Sequence, residues 1–132
     1  MEIGELLSNI GLKCTRQRKD ILAVLQSSKL PMRAEEIYTH TKDMSLSTVY
    51  RAMELFCEKG IVQSETIRNS PEKYYTLKDQ SHCHYAICLG CNEIRYVDVC
   101  PVHEHGLDIS DFQITGHKLE LYGYCDKCKH SI

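Results

Sequence analysis

No run of apolar residues in this chain approaches the roughly 20 needed to cross a bilayer as a helix. That excludes a helical membrane span and leaves no membrane partner to expect. The N-terminal stretch MEIGELLSNIGLK puts acidic residues before any base and lacks the layout of a secretory signal. A cytoplasmic protein is therefore expected. Disulfides rarely persist in that compartment, so the eight cysteines read as metal ligands or free thiols. There is no internal repeat and no low-complexity tract. With 42% hydrophobic and 26% charged residues, the composition is globular rather than disordered. Neither charge sign dominates: the formal net charge is −2, which does not advertise a nucleic-acid binder. Lys13, Arg16, Arg18 and Lys19 cluster early, either as a solvated helix face or as a locally basic patch.

Tryptophan is absent and phenylalanine occurs twice, yet Ser81–Tyr96 (SHCHYAICLGCNEIRY) holds two histidines and three cysteines in sixteen residues. The change in usage is abrupt. Two cysteines and one histidine precede Ser81, whereas six of each follow it. At 132 residues the chain suits one ordinary domain or two small ones. The break predicts two: residues 1–78, a short polar hinge at 79–81, and residues 82–132.

The first lobe reads as helices followed by a hairpin. Ile3, Leu6, Leu7 and Ile10 have helical spacing, and Gly11 stops that helix. Thr15 is an N-cap candidate before RQRKDILAVLQSS. A short helix over Arg33–Thr41 follows Pro31 without a Ser/Thr cap, and Ser45 or Ser47 caps SLSTVYRAMELFCEKG, which Gly60 ends. IVQSETI and KYYTL alternate like strands around the turn RNSPE. Three helices and a two-stranded wing make a winged helix-turn-helix, whose last helix enters the major groove of double-stranded DNA. Ser47, Thr48, Tyr50, Arg51 and Glu54 lie off the apolar stripe of that helix. Plain solvent exposure of polar residues accounts for them equally well at this level.

In the second lobe, Cys88-x-x-Cys91 and Cys125-x-x-Cys128 are two CxxC pairs. Together they can close a tetrahedral Cys₄ shell around Zn²⁺, with no vertex left for a substrate. A redox CxxC sits at a helix N-terminus in a βαβ setting, whereas these pairs follow strand-like YAIC and LYGYC. A lobe of about fifty residues is marginal without a staple or a partner chain, so a structural zinc and dimerisation are both expected. His82 and His84, two apart in a strand, share a face while Cys83 points away. They can meet one metal, with further ligands drawn from His103, His105, Glu104 and His117; scattered surface histidines are the bland alternative. Cys14, Cys57, Cys83 and Cys100 are read as small core or partly exposed residues, and His40 and His130 as exposed.

Taken together, GLKCTRQRKDIL, AEEIY, SLSTVYRAMELFCEKGIV, the histidine-rich run into CxxC and HKLELYGYCDKC resemble the ferric uptake regulator family of metal-dependent bacterial repressors, over nearly the whole chain. The resemblance implies an α+β protein: an N-terminal winged-helix DNA-binding domain and a small C-terminal α/β dimerisation domain with a structural zinc on Cys88, Cys91, Cys125 and Cys128. It also implies a regulatory metal on His82, His84, His103 and His117, with His103 standing where glutamate is usual, so that the shell is all histidine. A further hinge site of the family looks dismantled. Pro31-Met32-Arg33 lacks its histidine, and Cys83 and Tyr85 occupy the positions of others, which argues against peroxide sensing.

The expected protein is a homodimeric, metal-responsive repressor on a palindromic operator, with phosphate contacts from Lys13, Arg16, Arg18 and Arg51. Zn²⁺ is the expected regulatory ion, with Fe²⁺ or Ni²⁺ as the alternatives. No enzyme activity and no small organic substrate are expected. A zinc hydrolase or deaminase needs a non-ligand general acid or base, and no HExxH or H-x-E motif is present.

Overall fold

A computed structural model describes residues 2–28, 30–67, 71–78, 84–97, 100, 108–117 and 119–131. The chain falls into two compact units, Met1–Ser81 and His82–Ile132.

The first unit is helical with a wing. Its helices are α1 (Ile3–Asn9), α2 (Arg16–Ser27), α3 (Ala34–Thr39) and α4 (Leu46–Glu58). Each start has a local cause. The Thr15 hydroxyl accepts the Arg18 N–H at 3.3 Å, and the Ser45 hydroxyl accepts the Thr48 N–H at 3.2 Å, satisfying donors that a helix N-terminus leaves open. Ser45, not Ser47, is thus the cap of α4. Helix α3, which has no Ser/Thr cap, is capped from inside: the Glu36 carboxylate accepts the Arg33 backbone N–H at 3.2 Å and the Arg33 guanidinium at 3.1 Å. At the far end of α4, Gly60 takes φ +80°, the left-handed turn that releases the chain from a helix without steric cost.

The wing pairs β1 (Val62–Glu65) with β2 (Tyr74–Leu77), antiparallel, Val62 opposite Leu77. Met32 adds an isolated antiparallel bridge to Tyr75. Its N–H donates to the Tyr75 carbonyl at 3.0 Å and the Tyr75 N–H returns to Met32 at 2.8 Å. Leu7, Ile21, Leu22, Ile37, Val49, Met53 and Phe56 are fully buried and form one core with Leu77 and Tyr75 from the wing. Val49, Met53 and Phe56 recur at helical spacing, so α4 buries one face and turns the other outward. Met53→Ala is expected to destabilise this unit by about 2–5 kcal/mol through the cavity it leaves, read as a lower urea midpoint.

The second unit holds a three-stranded sheet of β3 (His84–Cys88), β4 (Ile94–Val97) and β5 (Glu120–Gly123), in the order β4-β3-β5. β3 runs antiparallel to β4 and parallel to β5. β5 covers only part of the run HKLELYGYC, and His117 lies three residues ahead of it. A 3₁₀ turn covers Lys129–Ser131. Among the described residues no helix is long and apolar enough to cross a membrane.

Candidate metal centres

Strand β3 carries a donor at each end, His84 and Cys88, both buried. Four residues at the strand rise separate them by about 13 Å. One strand therefore serves two separate clusters.

At the Cys88 end, the thiols of Cys88, Cys91, Cys125 and Cys128 all lie within 4.8 Å of one another. The parallel register supplies the closure that the sequence separation demands. Cys88 pairs with Gly123, and the Leu89 N–H donates to the Gly123 carbonyl at 2.7 Å, so Cys125 arrives two residues beyond the rung. A tight turn returns Cys91, with Asn92 at φ 65° and its N–H on the Cys88 carbonyl at 2.9 Å. Glycine is required at position 90, because a Cβ there would come within 2.8 Å of Cys128 Cβ and Sγ. The Cys91–Cys125 Sγ separation is 3.8 Å, which matches the edge of about 3.8 Å for a tetrahedron with Zn–S near 2.3 Å. The four residues fit zinc.

The electrostatics fit as well. The backbone N–H groups of Cys125 and Cys91 point at Cys88 Sγ, at 3.4 and 3.5 Å. These donors lower the Cys88 pKa to about 6. Cys128 is pushed up to about 12 by hydrogen bonding to the Cys125 and Cys88 sulfurs, and Cys91 is also raised, against the pull of the Glu93 backbone N–H, by its contact with Cys88. Without a cation the cluster thus holds Cys88 as thiolate at neutral pH and keeps Cys91 and Cys128 protonated. A dication must displace those protons. Zinc affinity should therefore fall as pH is lowered, with a log K slope of at least about 2 between pH 6 and 9, steepening below pH 6 as Cys88 takes up its own proton. Zinc competition titrations across that range measure the slope.

At the other end of β3, His84 Nε2, Cys100 Sγ and His117 Nε2 form a closed triangle. The separations are 3.1 Å from His84 to Cys100, 3.1 Å from Cys100 to His117 and 3.2 Å between the two imidazole nitrogens. The rings are 5.0 Å apart, tilted by 32°. His84 and His117 thus come together. His82, His103 and the alternatives His105 and Glu104, like Cys83, lie outside the described residues. Cys100, expected only as a small core or partly exposed residue, is buried here between two imidazoles. The signal available for it was its position three residues before His103 in the same donor-rich run.

In the first unit, Lys13, Arg16, Ser47, Tyr50 and Arg51 are exposed, and Arg18 and Thr48 are half-buried. Arg18 Nη1 donates to the Lys13 carbonyl at 2.9 Å, so this arginine also braces the turn before α2. Arg51 Nη2 lies 3.5 Å from the Thr48 hydroxyl. The Tyr50 hydroxyl donates to Glu35 on α3, and that bond raises the tyrosine's pKa.

Residues 9–122 match the model of the ferric uptake regulator family. The chain belongs to that family. A ferric uptake regulation protein of Staphylococcus epidermidis is 33% identical over 130 residues, covering 95% of this chain and 92% of that protein. A peroxide operon regulator of Bacillus subtilis is 30% identical over 135 residues, covering 96% and 91%. The ferric uptake regulator of Vibrio cholerae superposes with a TM-score of 0.75 at 31% identity, covering 92% of this chain and 98% of that one. As a ferric uptake regulator family member, the chain is a metal-responsive, DNA-binding transcription regulator and not an enzyme. Regulators of this family are dimeric.

Proposed function

We propose that this protein is a zinc-responsive homodimeric repressor of a palindromic operator. The observation that carries the reading is the presence of two chemically different donor clusters at opposite ends of β3. The all-sulfur cluster of Cys88, Cys91, Cys125 and Cys128 uses every vertex of a tetrahedron, so an ion there is a permanent clasp. The cluster containing His84 and His117 draws its donors from segments 33 residues apart. An ion there ties those segments together only when it is present. His82 and His103 are the sequence-derived candidates to complete it. Residues 1–78 would act as the DNA-binding domain and residues 82–132 as the metal-binding dimerisation domain, joined through 79–81.

Recognition falls to α4, with Ser47, Thr48, Tyr50 and Arg51 at its N-terminal end facing the groove. Lys13, Arg16 and Arg18 at the start of α2 would contact phosphates, with the salt dependence such contacts bring. Dimerisation suits the β5 edge, where Leu121, Tyr122 and Tyr124 are exposed. Iron or peroxide sensing is the competing reading, favoured by the names of the Staphylococcus and Bacillus relatives. Fluorescence anisotropy with operator DNA, titrated separately with Zn²⁺, Fe²⁺, Ni²⁺ and Mn²⁺, tests both. Operator affinity should rise ten- to hundredfold with zinc, equivalent to about 1.4–2.8 kcal/mol of coupling. A rise with iron and none with zinc would reverse the assignment.

A further inference from the structure

We infer that Cys100 is itself a ligand of the second metal, so that the site is a mixed imidazole–thiolate cage rather than an all-histidine one. The inference rests on reading the His84–His117 cluster as a metal site and adds the donor that sets its chemistry. Three lone-pair atoms meet there with edges of 3.1, 3.1 and 3.2 Å. A tetrahedral zinc with Zn–N near ~2.05 Å and Zn–S near ~2.3 Å would set N–N and N–S edges of about 3.4 and 3.6 Å, so a modest expansion seats the ion. A hydrogen-bonded triad explains the triangle less well. An imidazole nitrogen has one in-plane direction for its proton or lone pair, yet each Nε2 here has two neighbours at contact distance. A common point between the three atoms serves all of them at once.

Burial removes the other use of a cysteine between histidines. Cys100 is 8% exposed and His84 3%, which leaves the thiol poor access to any substrate it would attack.

Charge favours the thiolate. An all-imidazole shell leaves the full +2 of the ion against a buried His84, and an uncompensated buried charge is costly. One thiolate halves it. Softness then decides the metal: a thiolate in the shell suits Zn²⁺ and disfavours Mn²⁺, which prefers oxygen donors. Three donors come from the β3 end, the Cys100 segment and the approach to β5, which leaves one tetrahedral vertex for a further ligand.

Cobalt substitution tests this on the whole 132-residue chain. Protein whose Cys₄ site carries zinc is given one further equivalent of Co²⁺ per protomer. The expected spectrum shows tetrahedral d–d bands together with a near-ultraviolet sulfur-to-cobalt charge-transfer band. Cys100→Ser should lose that band and weaken zinc binding at the second site by more than about 100-fold, since even partners outside the ligand shell cost 10- to 100-fold. Cys100→His keeps a donor in place and guards against misfolding; it should bind cobalt without the sulfur band. A second cobalt bound by the unaltered protein without a sulfur band overturns the inference, as does a band that survives in Cys100→Ser. Operator anisotropy separates the two readings. A metal response without the sulfur band sinks only the thiolate ligand. A Cys100-dependent band with no change in operator affinity sinks the regulatory reading and leaves the ligand standing. Failure to bind a second cobalt overturns both.

Discussion

Cys125→Ser is expected to unfold the second unit and abolish tight operator binding while the first unit stays folded. Cys125 is buried, its N–H donates to Cys88 Sγ at 3.4 Å and its sulfur lies 3.8 Å from Cys91. Removing its sulfur opens the Cys₄ shell and leaves the other three thiols one donor short of a tetrahedron. Among its described residues the unit has little else to hold it. Its sheet has three strands of four or five residues, and its exposed apolar side chains include Leu121, Tyr122 and Tyr124. Structural zinc contributes an apparent ~10–16 kcal/mol in small zinc domains, comparable with or above the whole ~5–15 kcal/mol stability of a typical domain. The first unit has its own core around Leu7, Ile21, Leu22, Met53 and Phe56 and no share in the cluster. Elemental analysis should show the structural zinc gone, gel filtration should show loss of the dimer, and circular dichroism should keep the helical signal. Operator affinity should drop more than about 100-fold, because one winged helix then binds without its partner. A Cys125→Ser protein that remained a zinc-loaded dimer would refute the clasp.

His117→Ala should have the second large effect, of a different kind. His117 is exposed and sits outside β5, so its loss should leave the second unit folded. It nevertheless provides one corner of the triangle with His84 and Cys100. The variant should keep its structural zinc and its dimeric state yet lose the metal response, so that operator affinity with zinc falls to the metal-free level, a loss of ten- to hundredfold. Anisotropy with and without zinc, beside gel filtration of the same sample, gives the answer. An undiminished zinc response would remove the His84–His117 cluster from the switch.

Much of this was legible in one dimension because its causes are local. Thr15 and Ser45 mark helix starts by the hydroxyls they offer to backbone N–H groups. Val49, Met53 and Phe56 mark the buried face of α4 by their spacing. The α3 cap was harder to see, because Glu36 reaches back to Arg33 from inside the helix and no Ser or Thr announces it. The Met32–Tyr75 rung was hidden for a related reason: backbone pairing across more than forty residues leaves no mark in side-chain pattern.

The sequence by itself determined that there are two lobes, that the first is a winged helix and that two CxxC pairs stand ready for one ion. Periodicity, caps and short spacings are properties of neighbours along the chain. Only the tertiary structure decided which donors meet. The parallel register of β3 and β5 carries Cys125 to Cys88, and the path to β5 carries His117 to His84 with Cys100 between them. Sixteen or more residues separate those side chains in sequence, and only the folding of the backbone sets the distances between them.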